Sequence, residues 1–94
     1  MPLPQVALPE GELTEGPLSG VKYHSLSRSQ AMKVHTFAGR EDEAEDFIVA
    51  CGTDQTVEEA HAWRDSVSLE VAGQLVDAII VISGLTPDED KPAG

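Results

Sequence analysis

Four side chains of this sequence could bind a soft metal or attack a substrate: His24, His35, Cys51 and His61. None is paired at the CxxC or HxxxH spacing from which zinc sites are built. "EEAHAW" holds a glutamate beside a histidine, but no second histidine follows one turn later. No metal site is therefore expected. Cys51 falls among apolar neighbours in "FIVACGT" and reads as a small core hydrophobe, not a nucleophile. The acidic run "EDEAED", residues 41–46, lacks the glycine and alternating oxygens of a calcium loop. It suits a solvated helix N-terminus, where the backbone dipole favours negative charge. Phosphate-binding glycine loops are also missing, so no cofactor and no catalytic residue is assigned.

What remains for function is binding. The chain has 94 residues, with 17 acidic and 6 basic side chains and a net charge of −11. That balance argues against nucleic acid and against anionic membranes as partners. The charge is uneven. Residues 21–40 hold Lys22, Arg28, Lys33 and Arg40 and no acid, whereas residues 41–90 hold fourteen acids and only Arg64 as a base. Tyr23 and Trp63 are the amphipathic aromatics, the kind that anchor interfaces when exposed. Tyr23, Lys22, Arg28, Lys33 and Trp63 are thus the candidate partner-binding residues, although the two aromatics are also candidates for the core of so small a domain.

The elements that position these residues read as all-α: a small bundle of about four helices between a flexible arm and a flexible tail. Residues 1–20, with four prolines and three glycines, read as the arm. "VKYHSL", 21–26, reads as an extended lead-in with room for one short strand. Helix one starts at Ser27, whose capping box closes with Gln30, and its stripe is Ala31, Val34, Phe37 and Ala38 before Gly39. Helix two spans 41–51 with Ala44, Phe47, Ile48 and Cys51 on one face and Gly52 as its stop. Helix three spans 57–64 behind a second capping box, Thr56 with Glu59, and turns Val57, Ala60 and Trp63 inward.

The most apolar run, "VDAIIVISGL" at 76–85, completes the fourth helix. Asp77 interrupts it, and it falls short of the ~20 apolar residues of a membrane span. Its β-branched residues suit a strand. The stripe Ala72, Leu75, Val76, Ile79 and Ile82 or Ser83, however, runs back to a serine start at Ser66 or Ser68 and forward to Gly84. Val71, Ala78 and Ile80 widen it. The helical domain is therefore 21–85, and residues 86–94 form a polar, acidic tail. The N-terminus has no basic, then apolar, signal-peptide pattern, and the single cysteine excludes an internal disulfide, so a cytoplasmic setting is expected.

The order of these elements resembles the small tail assembly chaperones of long-tailed bacteriophages. Leu26, Ser27, Gln30 and Ala31 fit the first helix start of that family. Thr56, Glu58, Glu59, Ala60 and Trp63 fit its "T-x-E-E-A-x-x-W/L" helix. Val76, Ile79, Ile82, Ser83, Gly84 and Leu85 fit its closing helix, with Ile82 in place of the usual leucine. The resemblance covers 21–85. It implies a non-enzymatic protein that binds the tape measure protein, helps recruit tail tube protein during tail assembly in the host cytoplasm, and is not retained in the virion. It also implies that a longer, frameshifted form can exist. Two other readings stay open at this point: a small head–tail structural protein of the same gene cluster, and an acidic regulatory protein-interaction module.

Overall fold

The computed structural model describes Leu3, Pro4 and residues 6–85. The expected tail, 86–94, lies outside the described residues. The fold is mostly helical: α1 spans Arg28–Val34, α2 Glu41–Thr53, α3 Val57–Ser66 and α4 Leu69–Ile82. No described helix is long and apolar enough to cross a membrane.

All-α describes the molecule only coarsely, because a small β-hairpin precedes the helices. Strands β1, Glu10–Glu12, and β2, Lys22–His24, pair antiparallel, with Glu10 opposite His24, Gly11 opposite Tyr23 and Glu12 opposite Lys22. Residues 10–20 are therefore part of the folded unit and not of a flexible arm. The connection is closed by Leu13 N–H to the Val21 carbonyl at 2.9 Å and Gly20 N–H to the Leu13 carbonyl at 2.7 Å. It is pinned by Leu18, which is buried in the core. Gly11 sits close under a ring: a Cβ there would lie 2.7 Å from Tyr23 Cζ, so the Tyr23 side chain would have to move to admit one.

The caps form as the sequence directs. Ser27 Oγ accepts from Gln30 N–H at 3.2 Å while Gln30 Oε1 accepts from Ser27 N–H at 2.9 Å. Thr56 and Glu59 reproduce the arrangement at α3, and Ser68 caps α4 through Val71 N–H. At the far end of α4, Gly84 has φ 78°. Gly84 N–H returns to the Val81 carbonyl and Leu85 N–H to the Ile80 carbonyl, the Schellman pattern that satisfies the last carbonyls of a helix. The neighbouring Ser83 Oγ receives Leu26 N–H at 2.8 Å, which ties the end of α4 to the start of α1. Helix one is shorter than expected: after Val34 the chain tightens into a 3₁₀ turn, His35–Phe37, and Ala38 is exposed. None of the residues of α1 is fully buried.

Helix α2 is the centre of the bundle, touching β2, α1, α3 and α4. For that reason its burial departs from a single stripe. Ile48 is buried, but Ala44, Phe47 and Cys51 are only half-buried, while Asp46, Val49, Ala50 and Gly52 lie inside. Gly52 does not end the helix; the left-handed residue is Asp54, at φ 59°. Gly52 instead lets α4 approach. A Cβ on it would lie 2.5 Å from Ile79 Cδ1. Gly52→Ala gains about 1 kcal/mol of helix propensity and loses about 1–3 kcal/mol to overpacking, so a net destabilisation is expected in urea unfolding. The cost should shrink in an Ile79→Val background, where Cδ1 is gone; an equal cost in both backgrounds would mean that the Cδ1 contact is not the source of the strain.

Candidate functional site

Trp63 and Lys22 come together although they lie far apart in sequence. Ala60 carries the inward face of α3 and is fully buried. Trp63, one turn later, is only half-buried, and Val57, expected inward, is exposed. Trp63 lines a hollow of about 250 Å³ with Val21, Lys22, Thr53 and Leu75, on a floor that includes the buried Val49. The hollow thus joins β2, α2, α3 and α4, and its lining mixes an indole and aliphatic side chains with the polar Lys22, Thr53 and Gln55. It adjoins, through Lys22 and Thr53, a groove of about 640 Å³ lined by Tyr23, His24, Asp54 and the glutamates of β1. The other two candidates sit elsewhere. Arg28 is exposed at the first position of α1, and Lys33 is exposed in its last turn. The Lys33 ammonium lies 6.0 Å from the centre of the Phe47 ring.

Compared with known proteins, the chain matches no family model, no curated protein and no solved structure. The site must be read from its own geometry.

That geometry includes a charged cluster between α2 and α3 which the acidic run hides. Asp46, expected on a solvated face, is buried. Its Oδ1 takes the Arg64 guanidinium at 2.6 Å and its Oδ2 takes His61 Nδ1 at 2.8 Å. Arg64 also reaches Glu45 at 2.6 Å and Asp42 at 3.2 Å. Burial opposes the charge on Arg64, but the hydrogen bond to Asp46 and the charges of Glu45 and Asp46 outweigh it and raise its pKa. Ligand atoms of Asp42, Asp46 and His61 lie within 4.8 Å of one another. Arg64 already bonds both of those carboxylates, so the cluster is a helix–helix clasp and not an open cation cage. Cys51 is half-buried, and burial, followed by the charge of Asp54, raises its thiol pKa, which weakens it as a nucleophile at neutral pH.

Two histidines are each set between acceptors. His61 Nδ1 faces Asp46 and its Nε2 faces Asp65 Oδ2 at 3.5 Å. His24 Nδ1 donates to the Ser25 carbonyl at 2.8 Å and its Nε2 faces Asp54 Oδ1 at 3.0 Å. An imidazole with acceptors on both nitrogens is best satisfied as the doubly protonated cation. Both pKa values are raised, His24 chiefly by its bond to Ser25 and then by Asp54, His61 chiefly by its bond to Asp46. A folded pKa above the unfolded one gives a contribution that is complete below the unfolded value, about 6.5, and is lost as pH rises through the folded value. The thermal midpoint should therefore fall on going alkaline from that point. His24→Gln and His61→Gln together should flatten the profile; an unchanged slope in the double variant would refute the assignment.

Proposed function

We propose that this chain is a tail assembly chaperone of a long-tailed bacteriophage. It binds the tape measure protein, helps recruit tail tube subunits while the tail is built in the host cytoplasm, and leaves before the virion is complete. The observation that carries the reading is Trp63. It occupies the aromatic position of the resembled third helix, yet the core leaves it half-buried at the rim of an open hollow. An aromatic in a hollow lined by Val21, Val49 and Leu75 and by the polar Lys22, Thr53 and Gln55 fits an anchor for one face of an amphipathic partner helix. The surrounding acidity has a role in the same reading: a complex carrying this chain's net charge of −11 gains charge as its apolar surface is covered, and both changes oppose aggregation.

The test is co-expression with the tape measure protein of the same genome. The soluble fraction of that protein should rise, the two should co-purify, and Trp63→Ala should reduce both. Purified virions should lack the chain in mass spectra. No effect on solubility together with no co-purification would overturn the proposal, and recovery of the chain from virions would favour a structural head–tail protein.

A further inference from the structure

The end of α4 carries apolar side chains beyond its core stripe, and the fold leaves them open to solvent. Val81 is 69% exposed. Ala78 and Ile82, its neighbours on the helix surface, are half-buried and lie outside the main core cluster. Two further large apolar side chains, Leu3 and Val6, are 87% and 80% exposed. These two unpartnered surfaces meet at one place in the fold. The Pro9 carbonyl accepts from Ser25 N–H at 2.8 Å, and the next residue, Leu26, donates its N–H to Ser83 Oγ at 2.8 Å. Ser83 directly follows the last residue of α4. The N-terminal segment therefore leaves the folded unit beside the end of that helix.

We propose that residues 3–8 are a strap that closes over this side of α4 and seats Leu3 and Val6 on Ala78, Val81 and Ile82. The structure holds the strap open. Its reach is sufficient: six extended residues span ~20 Å. Ala78 and Ile82 are only ~6 Å apart along the helix axis, and a helix with its side chains is ~10 Å across. Pro4 and Pro9 restrict the segment to extended backbone, which limits the entropy lost on closing. In a proline-type helix of about three residues per turn, Leu3 and Val6 share one edge. Residues 3–8 carry no charged side chain, so closing desolvates no ion. Tethering selects this occupant over others. Held at Pro9, the segment meets the face at an effective concentration on the order of mM. A second copy would have to bring another net charge of −11 into contact. Residues 86–94 follow α4 but offer no aromatic and no large aliphatic side chain to cover it. Closed, the strap shields the open side of α4, and any partner of that side must first displace it. The inference stands without the tape measure reading.

The double variant Leu3→Ser with Val6→Ser, made in the full chain, tests the strap through the sign of one signal. With a closing strap, the change uncovers α4 and raises the binding of a neutral hydrophobic dye. With a segment that stays in water, the same change only removes apolar surface, and dye binding falls or stays level. Adding Val81→Ser to the pair should take back part of the gain. All three positions are exposed, so far-UV circular dichroism should keep the parent spectrum in each variant. In the parent chain, methyl NMR should show contacts from Leu3 and Val6 to Val81 and Ile82. A sample mixed from two isotope-labelling schemes should show those contacts within one molecule only. Contacts between molecules would assign the strap to a second copy and overturn the proposal. Absent methyl contacts, or dye binding that does not rise in the serine pair, would overturn it as well.

Discussion

Ile79→Asp is expected to abolish the cooperative fold. Ile79 is fully buried, and it fills the space that Gly52 leaves between α4 and α2. Its neighbours on α4, Leu75 and Val76, are buried as well. Among the described residues no lysine, arginine or histidine is fully buried, and Arg64 and His61 are engaged in the clasp between α2 and α3. A carboxylate at 79 would be desolvated with no counter-charge, or would bind a proton and still lack a hydrogen-bond partner. Either outcome costs several kcal/mol. The folded unit is small, and domains of this size have only about 0.05–0.15 kcal/mol of stability per residue. The penalty is of the same order as the whole. Far-UV circular dichroism should show loss of helix, and no cooperative thermal transition should remain. Asp77 supplies the control on the same helix. It is exposed, so Asp77→Ala should move stability by less than about 0.5 kcal/mol. A cooperative melt in Ile79→Asp would mean that the apolar run of α4 is not the centre of this fold.

The contrast between positions 77 and 79 was legible in the sequence, because helical periodicity is a local signal. So were the caps. Ser27 with Gln30, Thr56 with Glu59, and Gly84 at the end of α4 each use partners within five residues, and each forms. The features that escaped a local reading depend on distant residues. Gly52 has the composition of a stop, but its reason is Ile79, 27 positions on. The "EDEAED" run reads as solvated, yet Asp46 is buried because Arg64 and His61 return to it from α3. Strand β1 is three residues long, lies in a segment dense in proline and glycine, and shows no alternation. It is held by pairing with β2 and by Leu18 in the core. The candidate site divides in the same way. Tyr23, Lys22 and Trp63 were chosen by residue type, and their convergence on adjoining hollows is a product of the tertiary fold. Phe37 and Phe47 read as members of helical core stripes, yet they pack on each other, with ring centres 5.5 Å apart, and neither joins the main core.

The second large effect is expected at Arg64. Its side chain is 11% exposed and serves three carboxylates, with the shortest contacts to Asp46 and Glu45, both at 2.6 Å. Arg64→Leu would leave the Asp46 carboxylate buried, with His61 as its only remaining cation. Removing one partner of a buried pair costs about 3–5 kcal/mol, because the other charge stays desolvated. The lower end applies here, since His61 remains and Glu45 and Asp42 can turn toward water. Urea unfolding should show a lower midpoint with an unchanged slope. The variant should also depend more strongly on pH on the alkaline side, as loss of the His61 proton then strips Asp46 of its last counter-charge. The double variant Asp46→Leu with Arg64→Leu should recover most of the loss. The apolar pair removes the buried carboxylate and also the Arg64 Nε donor, which is buried without an acceptor. That recovery decides what the clasp is for. A double variant near the parent in stability would mean that the cluster selects how α2 and α3 align while adding little net stability. A double variant as weak as Arg64→Leu would mean that the ions themselves hold the two helices together.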